Sequence, residues 1–510
     1  MRLQQLPVGG LALATLLLLQ HLCPSTRAAR ILFVFPFDML SQCKLLTPYL
    51  LALHERGHQL TIIHAFDCDT MKQFHSIFVK DRHDTDSDFD AHQWDTVSEW
   101  VVLMSIRNFF VKIVLNVLES PEVQQLMHSN VSYDLVVLEP SNTDGLFGLA
   151  AHFNAILIGL GTCGSDWTME TFVGYRGSST FEPVMWTGFN KGITLIERFY
   201  NWIRMSEEWM LYWLIFQPAQ RAIHEHFFGH LEQSFEEIRQ NFSLILLNQH
   251  FSFFEARASV PSMVDVGGMH VPKQLPTLPA ELEQFIEEAQ HGVIVMSLGP
   301  EIKSKDLPAE KLRIIVDTFE ALPQRIIWKF EGNVRPNVSS SIYMSEWLPQ
   351  QEIVAHPNCR LLISHGGILS IIEAAYYGKP VLGFPVFFDQ FRNLERMQVE
   401  GMAQRLDIST LTRLEFETAL REMLALPQYR RKALELSQRV RDQPMHPLDV
   451  AVFWTEYVWR HQGAPYMRVS TSKVKLFDYY YLDNILGVLS RFGLLIGLVV
   501  YVLCKLFKWR

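Results

Sequence analysis

No excess of basic residues marks this sequence: 45 Lys and Arg stand against 54 Asp and Glu, for a net charge of −9. A nucleic-acid binder would carry a positive footprint, and this balance argues against one. Cysteine is scarce, 6 in 510 residues, and no Cys-x-x-Cys pair occurs. Zinc ribbons and disulfide-stapled small domains need denser or closer cysteines. Internal repeats and low-complexity segments are missing too, which leaves out solenoids and disordered tracts. What is there is room for roughly two to four domains, with 48% apolar residues to fill their cores.

Each end of the chain carries an apolar run. Met1-Arg2, then "LALATLLLLQHLC", then the small residues of "STRAA" predict a secretory signal over 1–29, cleaved near Ala28 or Ala29. The later run "ILGVLSRFGLLIGLVVYVLCKLF" (485–507) has the length of a membrane-spanning helix, roughly 20 residues. Arg491 lies near enough to its entry end to snorkel outward. Lys505, Lys508 and Arg510 mark the cytosolic side, with a tail over 508–510. The expectation is a single-pass type I protein of the endoplasmic-reticulum membrane, with residues from about 30 to 480 in the lumen. Asn130, Asn241 and Asn337 each head an Asn-x-Ser glycosylation triplet. Cys43, Cys68, Cys163 and Cys359 are the lumenal cysteines; one bridge among them is allowed, and its pairing stays open.

Between the ends, the pattern alternates strand and helix. "ILFVF", the helical "LLTPYLLALHERGH" and "QLTIIHAF" make a βαβ unit. "DLVVLEP", "AILIGLG" and "SLILLNQHF" repeat the strand pattern, around an aromatic helical stretch, "ERFYNWIRMSEEWMLYWLIF". Pro272, Pro276 and Pro279 then interrupt regular structure, which places a linker there. A second alternation follows: "VIVMSLG", a helix through 309–321, "RIIWKF", "RLLISHGG", another helix and "KPVLGFP". The fold class is α/β, with two Rossmann-like doubly wound domains (30–270 and 271–450) facing a cleft and a C-terminal transmembrane helix. Helices and a juxtamembrane segment over 451–484 are expected to cross back to the first domain. Ligands of such sheets bind at the carboxyl ends of the strands.

The most informative stretch is "RLLISHGGILSIIEAAYYGKPVLGFPVFFDQFRN". A strand ending at Ser364, two glycines and a helix starting near Ile368 form an anion site from backbone N–H groups and the helix dipole. The glycines let a phosphate approach, and Glu373 is placed for ribose hydroxyls. At this turn neither GxxxxGK[ST] nor GxGxxG occurs, so neither an NTPase nor a dehydrogenase is indicated. Trp347, Pro349, Gln350, His365, Gly367, Ser370, Glu373, Asp389 and Gln390 stand at the spacing of a known signature. In this the chain resembles the UDP-glycosyltransferases, in particular the UDP-glucuronosyl/UDP-glucosyltransferase family of the membrane-anchored microsomal type, with an insect-like first half.

That resemblance implies the GT-B arrangement and a metal-independent, inverting transfer of a hexose. The sugar would be glucose ahead of glucuronic acid, the acceptors small lipophilic phenols, amines or alcohols, and the role detoxification. It implies no cofactor beyond UDP-sugar as co-substrate. Trp347 would stack on the uracil, and Gln350 would bond the base or ribose. His365 and the backbone from Gly367 to Ser370 would hold the diphosphate with Ser297, and Glu373 would take the ribose. Asp389 and Gln390 would bind the sugar. Pro300 departs from the family's commoner serine and removes one contact near the phosphates. Homo- or hetero-oligomerisation stays open.

The catalytic base is where the pattern breaks. The family places a histidine after the first strand, oriented by an aspartate from a later strand end. Here those positions read Gln42 and Glu139. An amide cannot take a proton at neutral pH, so Glu139, Asp38 and Cys43 are the remaining candidates. Either the acceptor brings its own lone pair, or the chain is a catalytically impaired binder of UDP-sugar or a lipophilic ligand, a partner subunit. Asp67-Cys-Asp69 offers a metal-dependent alternative, but acidic triplets of this kind arise by chance in a chain with 54 acidic residues.

Overall fold

The structure, a computed structural model, describes residues 28–83, 99–175, 194–254, 259–300, 302–332, 335–386, 388–468, 489–491 and 493–497. The expected signal segment and most of the apolar run 485–507 lie outside these residues, as does the tail 508–510. Among the described residues no helix is long and apolar enough to cross a membrane.

Two parallel sheets carry the chain. The first contains β1 (Arg30–Phe35), β2 (Gln59–His64), β3 (His75–Phe78), β4 (Leu135–Leu138), β5 (Ile156–Gly161), β6 (Phe242–Leu247) and β7 (Met263–Asp265), in the order β3-β2-β1-β4-β5-β6-β7. The second contains β8 (Val293–Ser297), β9 (Arg325–Lys329), β10 (Ile342–Ser345), β11 (Cys359–Ser364), β12 (Val381–Gly383) and β13 (Ala403–Arg405), in the order β10-β9-β8-β11-β12-β13. The order reverses between β1 and β4 in one sheet and between β8 and β11 in the other. Helices leave such a pair of strands on opposite faces, which opens a crevice at their carboxyl ends.

Continuous apolar runs make the central strands because both faces are covered. Successive side chains point to opposite faces, and β1 shows the result. Leu32 and Val34 join the core made by the helices Glu99–Leu118 and Gln217–Phe228. Ile31, Phe33 and Phe35 join the one made by the helix Leu40–Glu55. The helix Pro447–Arg460 completes that second core, inserting Ala451, Val452 and Val458, although it follows the whole second sheet in sequence. The Tyr49 hydroxyl bonds that of Thr455 inside this contact, and Glu456 pairs with Arg56 at its edge.

The aromatic stretch folds as a helix over Leu195–Leu211, a wider π turn over Tyr212–Phe216, and the helix Gln217–Phe228. Leu195, Ile196, Phe199, Trp202, Met210 and Leu214 stay exposed along it. Tyr212 turns inward and donates its hydroxyl hydrogen to Asp144 Oδ2 at 2.7 Å, while Arg239 Nε donates to the same oxygen at 2.6 Å. Asp144 and Arg239 are both buried. Removing one member of a buried pair strands the other charge. Arg239→Ala is therefore expected to destabilise the protein by about 3–5 kcal/mol, read as a fall in the denaturation midpoint. An unchanged midpoint would count against this network as a structural tie.

Candidate active site

Every residue expected to bind the donor lies just beyond the carboxyl end of a strand in the second sheet. Ser297 ends β8 and pairs in register with Ser364, the last residue of β11. Trp347 and Gln350 follow β10, His365 and Gly367 follow β11, and Asp389 and Gln390 follow β12. The helix Ile368–Tyr377 starts directly after Gly367, as the sequence predicts, and carries Ser370 and Glu373 on buried positions.

Gly299 and Gly367 make room for His365, whereas Gly366 packs against Leu394. A Cβ on Gly299 would lie 2.6 Å from His365 Cε1, and one on Gly367 would collide with Nε2. The imidazole thus sits between two backbone turns with no room to rotate. Burial, aided by the positive charge of Lys329, pushes its pKa down to about 4, so it is neutral and offers one N–H. Positive charge comes instead from Lys329, the buried last residue of β9, whose Nζ donates to the Gly299 carbonyl at 2.9 Å and pairs with Glu331.

Glu373 is fully buried, and both of its oxygens already accept hydrogen bonds. Gln350 Nε2 donates to one at 2.6 Å and to Ser370 Oγ at 2.9 Å; Gln351 Nε2 donates to the other at 3.0 Å. His270 Nε2 stands 3.7 Å from the same carboxylate, and Gln351 also donates to the His270 carbonyl. Burial drives His270 down to about 4, against the pull of Glu373 and helped by Lys44. Gln350, Ser370 and Glu373 therefore act as one connected cluster, and for Glu373 to meet a ribose the Gln350 amide has to yield.

Asp389 stands directly before the helix Gln390–Val399 and accepts from Asn393 Nδ2 at 2.7 Å. The same amide donates to the Gly366 carbonyl, tying Asp389 to the glycine turn. Burial raises Asp389 to about 6, the hydrogen bond from Asn393 opposing it. Gln390 is buried, and its Oε1 accepts from the Val386 N–H at 2.8 Å.

In the first sheet, Gln42 and Glu139 follow β1 and β4, the two strands flanking the order reversal. Gln42 is 4% exposed, and its Oε1 has no hydrogen-bond partner among the described residues. Glu139 is buried and accepts from Ser141 Oγ at 2.9 Å and from the Thr162 N–H at 3.0 Å. Burial raises its pKa while those donors oppose the rise. Asp38 is exposed on the loop between β1 and the helix that bears Gln42.

Cys43 is corrected: it is bonded to Cys68 with its Cα 6.3 Å away, so no thiol is left to act as a base. The same bond occupies the middle of the Asp67-Cys-Asp69 triplet, whose Asp69 is exposed and paired with Lys72. Among the described residues no group of three or more His, Cys, Asp and Glu is placed to hold a metal. Asn130 and Asn337 lie exposed, whereas Asn241 is held by Arg468 through its side-chain oxygen at 2.7 Å.

Lys329, His270, Gln351 and Asn393 escaped the sequence reading. Lys329 had a signal, a lone cation closing the apolar run "RIIWK". A further pattern passed over is Gly159-Leu-Gly-Thr-Cys-Gly164, which fits G-x-G-x-x-G at the end of β5. Its glycines serve packing: a Cβ on Gly161 would lie 2.8 Å from the Gly164 carbonyl and 2.9 Å from Met169 Sδ.

Two parallel α/β sheets with these residues at their strand ends define a glycosyltransferase of the GT-B fold. Solved structures agree on the fold. The calicheamicin glycosyltransferase CalG4 superimposes with a TM-score of 0.57 at 17% identity, over 85% of this chain and 99% of that one. The glycotransferase of kitacinnamycin gives 0.57 at 14% identity, over 84% and 99%. The family model for UDP-glucoronosyl and UDP-glucosyl transferase matches residues 40–509, and the chain belongs to that family. UDP-glycosyltransferase UGT5 of Dactylopius coccus is 31% identical, over 89% of this chain and 88% of its own. UDP-glucosyltransferase 2 of the same organism is 30% identical over 97% and 96%. UDP-glucuronosyltransferase 2B16 of Oryctolagus cuniculus is 34% identical over 62% and 60%. The protein is thus a glycosyltransferase that takes its sugar from a UDP-sugar.

Gly367 has φ −58° and ψ 141°, open to any residue, so a substitution there tests the imidazole without straining the backbone. Gly367→Ala is expected to push His365 aside and cut kcat/KM for the UDP-sugar by about tenfold to a hundredfold, while costing about 1–3 kcal/mol of stability. Wild-type kcat/KM in this variant would show that the ring's position is unimportant.

Proposed function

We propose that this protein transfers a hexose, glucose ahead of glucuronic acid, from UDP-sugar to small lipophilic acceptors. The transfer inverts the anomeric carbon and uses no metal ion, and nitrogen nucleophiles and acidic phenols come before plain alcohols. The observation that carries the acceptor side is Gln42, a buried amide in the first turn of the helix Leu40–Glu55 whose Oε1 has no hydrogen-bond partner among the described residues. That oxygen can accept an N–H or O–H and orient a nucleophile, but it cannot take the proton away. An amine attacks through its own lone pair. The new bond forms from nitrogen to the anomeric carbon, the bond from that carbon to the diphosphate oxygen breaks, and the proton leaves the product nitrogen for water.

On the donor side, Trp347 stacks on the base, and Gln350 and Glu373 take the ribose. The backbone from Gly367 to Ser370, with His365, Ser297 and Lys329, neutralises the departing diphosphate. Asp389 and Gln390 hold the sugar hydroxyls. The preference for glucose rests on the named glucosyltransferase among the insect relatives. A lumenal, membrane-anchored location is supported by the Cys43–Cys68 bond, which an oxidising compartment sustains, and by the apolar length of 485–507. The exposed apolar side chains of the helix Leu195–Leu211 suit a protein held against a lipid surface.

Membranes carrying the full-length protein, assayed with UDP-glucose and UDP-glucuronic acid against phenol, alcohol and amine acceptors, test this reading. Amines and acidic phenols are expected to lead, and Gln42→His to raise turnover of alcohols by about 10²-fold or more. UDP bound without any sugar transferred would identify a binding protein or partner subunit instead.

The acid limb gives a second check. Below about pH 6 the Asp389 carboxyl is protonated and is a poorer acceptor for sugar hydroxyls. Donor kcat/KM is expected to fall as pH drops through that value. Asp389→Asn should be low and flat across it, and an unchanged acid limb in that variant would remove Asp389 from the donor site.

A further inference from the structure

The first domain also reaches the ring on which the base would stack. Lys44, two residues beyond Gln42, places its Nζ 5.2 Å from the centroid of the Trp347 ring. Trp347 is 55% exposed, so the indole is open to a partner from across the cleft. An ammonium at that distance over an indole face makes a cation–π contact.

The Lys44 backbone is well anchored for this. Cys43 is bonded to Cys68, which fixes the first turn of the helix to the loop after β2. Further along, Tyr49 is bonded to Thr455. Pro48 has no N–H, so the Lys44 carbonyl lacks its helical donor within the otherwise continuous helix Leu40–Glu55. The lysine is thus presented to the second domain from a fixed base, with only its own four-carbon stem to move.

We propose that Lys44 is a latch across the cleft: its ammonium and the base of the UDP-sugar compete for the Trp347 ring, so the donor has to release Lys44 to bind, and Lys44 returns to the ring as UDP leaves. This rests on the reading that Trp347 stacks on the base. A latch of this kind weakens donor and product alike, which raises KM for the UDP-sugar and speeds release of UDP. It differs from a phosphate-binding lysine in sign, because removing it tightens the complex.

The test is UDP binding to the full-length protein, followed by quenching of tryptophan fluorescence at equilibrium and in stopped flow. Lys44→Ala is expected to bind UDP about two- to fivefold more tightly, the cost of an exposed cation–π contact, with the change in the dissociation rate. Lys44→Arg, which keeps the cation, is expected to restore wild-type values. In the Trp347→Ala background, Lys44→Ala is expected to change nothing. Unchanged or weaker UDP binding by Lys44→Ala overturns the latch, the weaker result assigning Lys44 to the diphosphate. The base-stacking reading is judged separately: Trp347→Ala should weaken UDP binding by about fivefold or more, and wild-type binding there would overturn that reading whatever Lys44 does.

Discussion

Parallel strands all leave a sheet by the same edge, and wherever their order reverses the connecting helices part to opposite faces. In this protein that constraint operates twice, between β1 and β4 and between β8 and β11. Near the first reversal stand Gln42 and Glu139, and near the second Ser297 and His365. The contact between Lys44 and Trp347 links the first group to the second. Transfer between two substrates thus follows from the way parallel sheets are wired, while the residues at the reversals decide which transfer it is.

The donor side is tightly supported. His365 is held by two glycine turns, Glu373 by two glutamines, and Asp389 by an asparagine that also grips the glycine turn. Preorganised groups of this kind cost no reorganisation as charge develops on the leaving diphosphate. Phe37, on the loop that leads into the helix bearing Gln42, packs with Phe109, Phe110 and Ile113 in a small buried apolar cluster.

The central strands and the helix start at Ile368 were legible in the sequence because burial on two faces leaves unbroken apolar runs and because a strand, two glycines and a helix leave a local pattern. The edge strands were not. β7 reads Met-Val-Asp and β13 Ala-Gln-Arg, each of three residues and only partly buried, with no periodicity to detect. In the site, the residues named from the strand–turn–helix pattern do follow strands of the second sheet. Lys329, His270, Gln351 and Asn393 were not foreseen, because their partners lie on other elements and only the fold brings them together. The Cys43–Cys68 pairing was hidden for the same reason: four cysteines between the two apolar ends allow several bridges, and the fold chooses among them.

The helix Pro447–Arg460 fills the core of the first domain although it is made after the second. During synthesis the first sheet therefore emerges with that face covered only in part, by the helix Leu40–Glu55, and Tyr49 lacks its Thr455 partner until most of the chain has been made. The two domains do not mature in the order they are made. The second closes on its own contacts, and the first is finished last, by a segment delivered just ahead of the C-terminal apolar run. A chain that stops short of Pro447 leaves part of that face open to association with other exposed apolar surfaces.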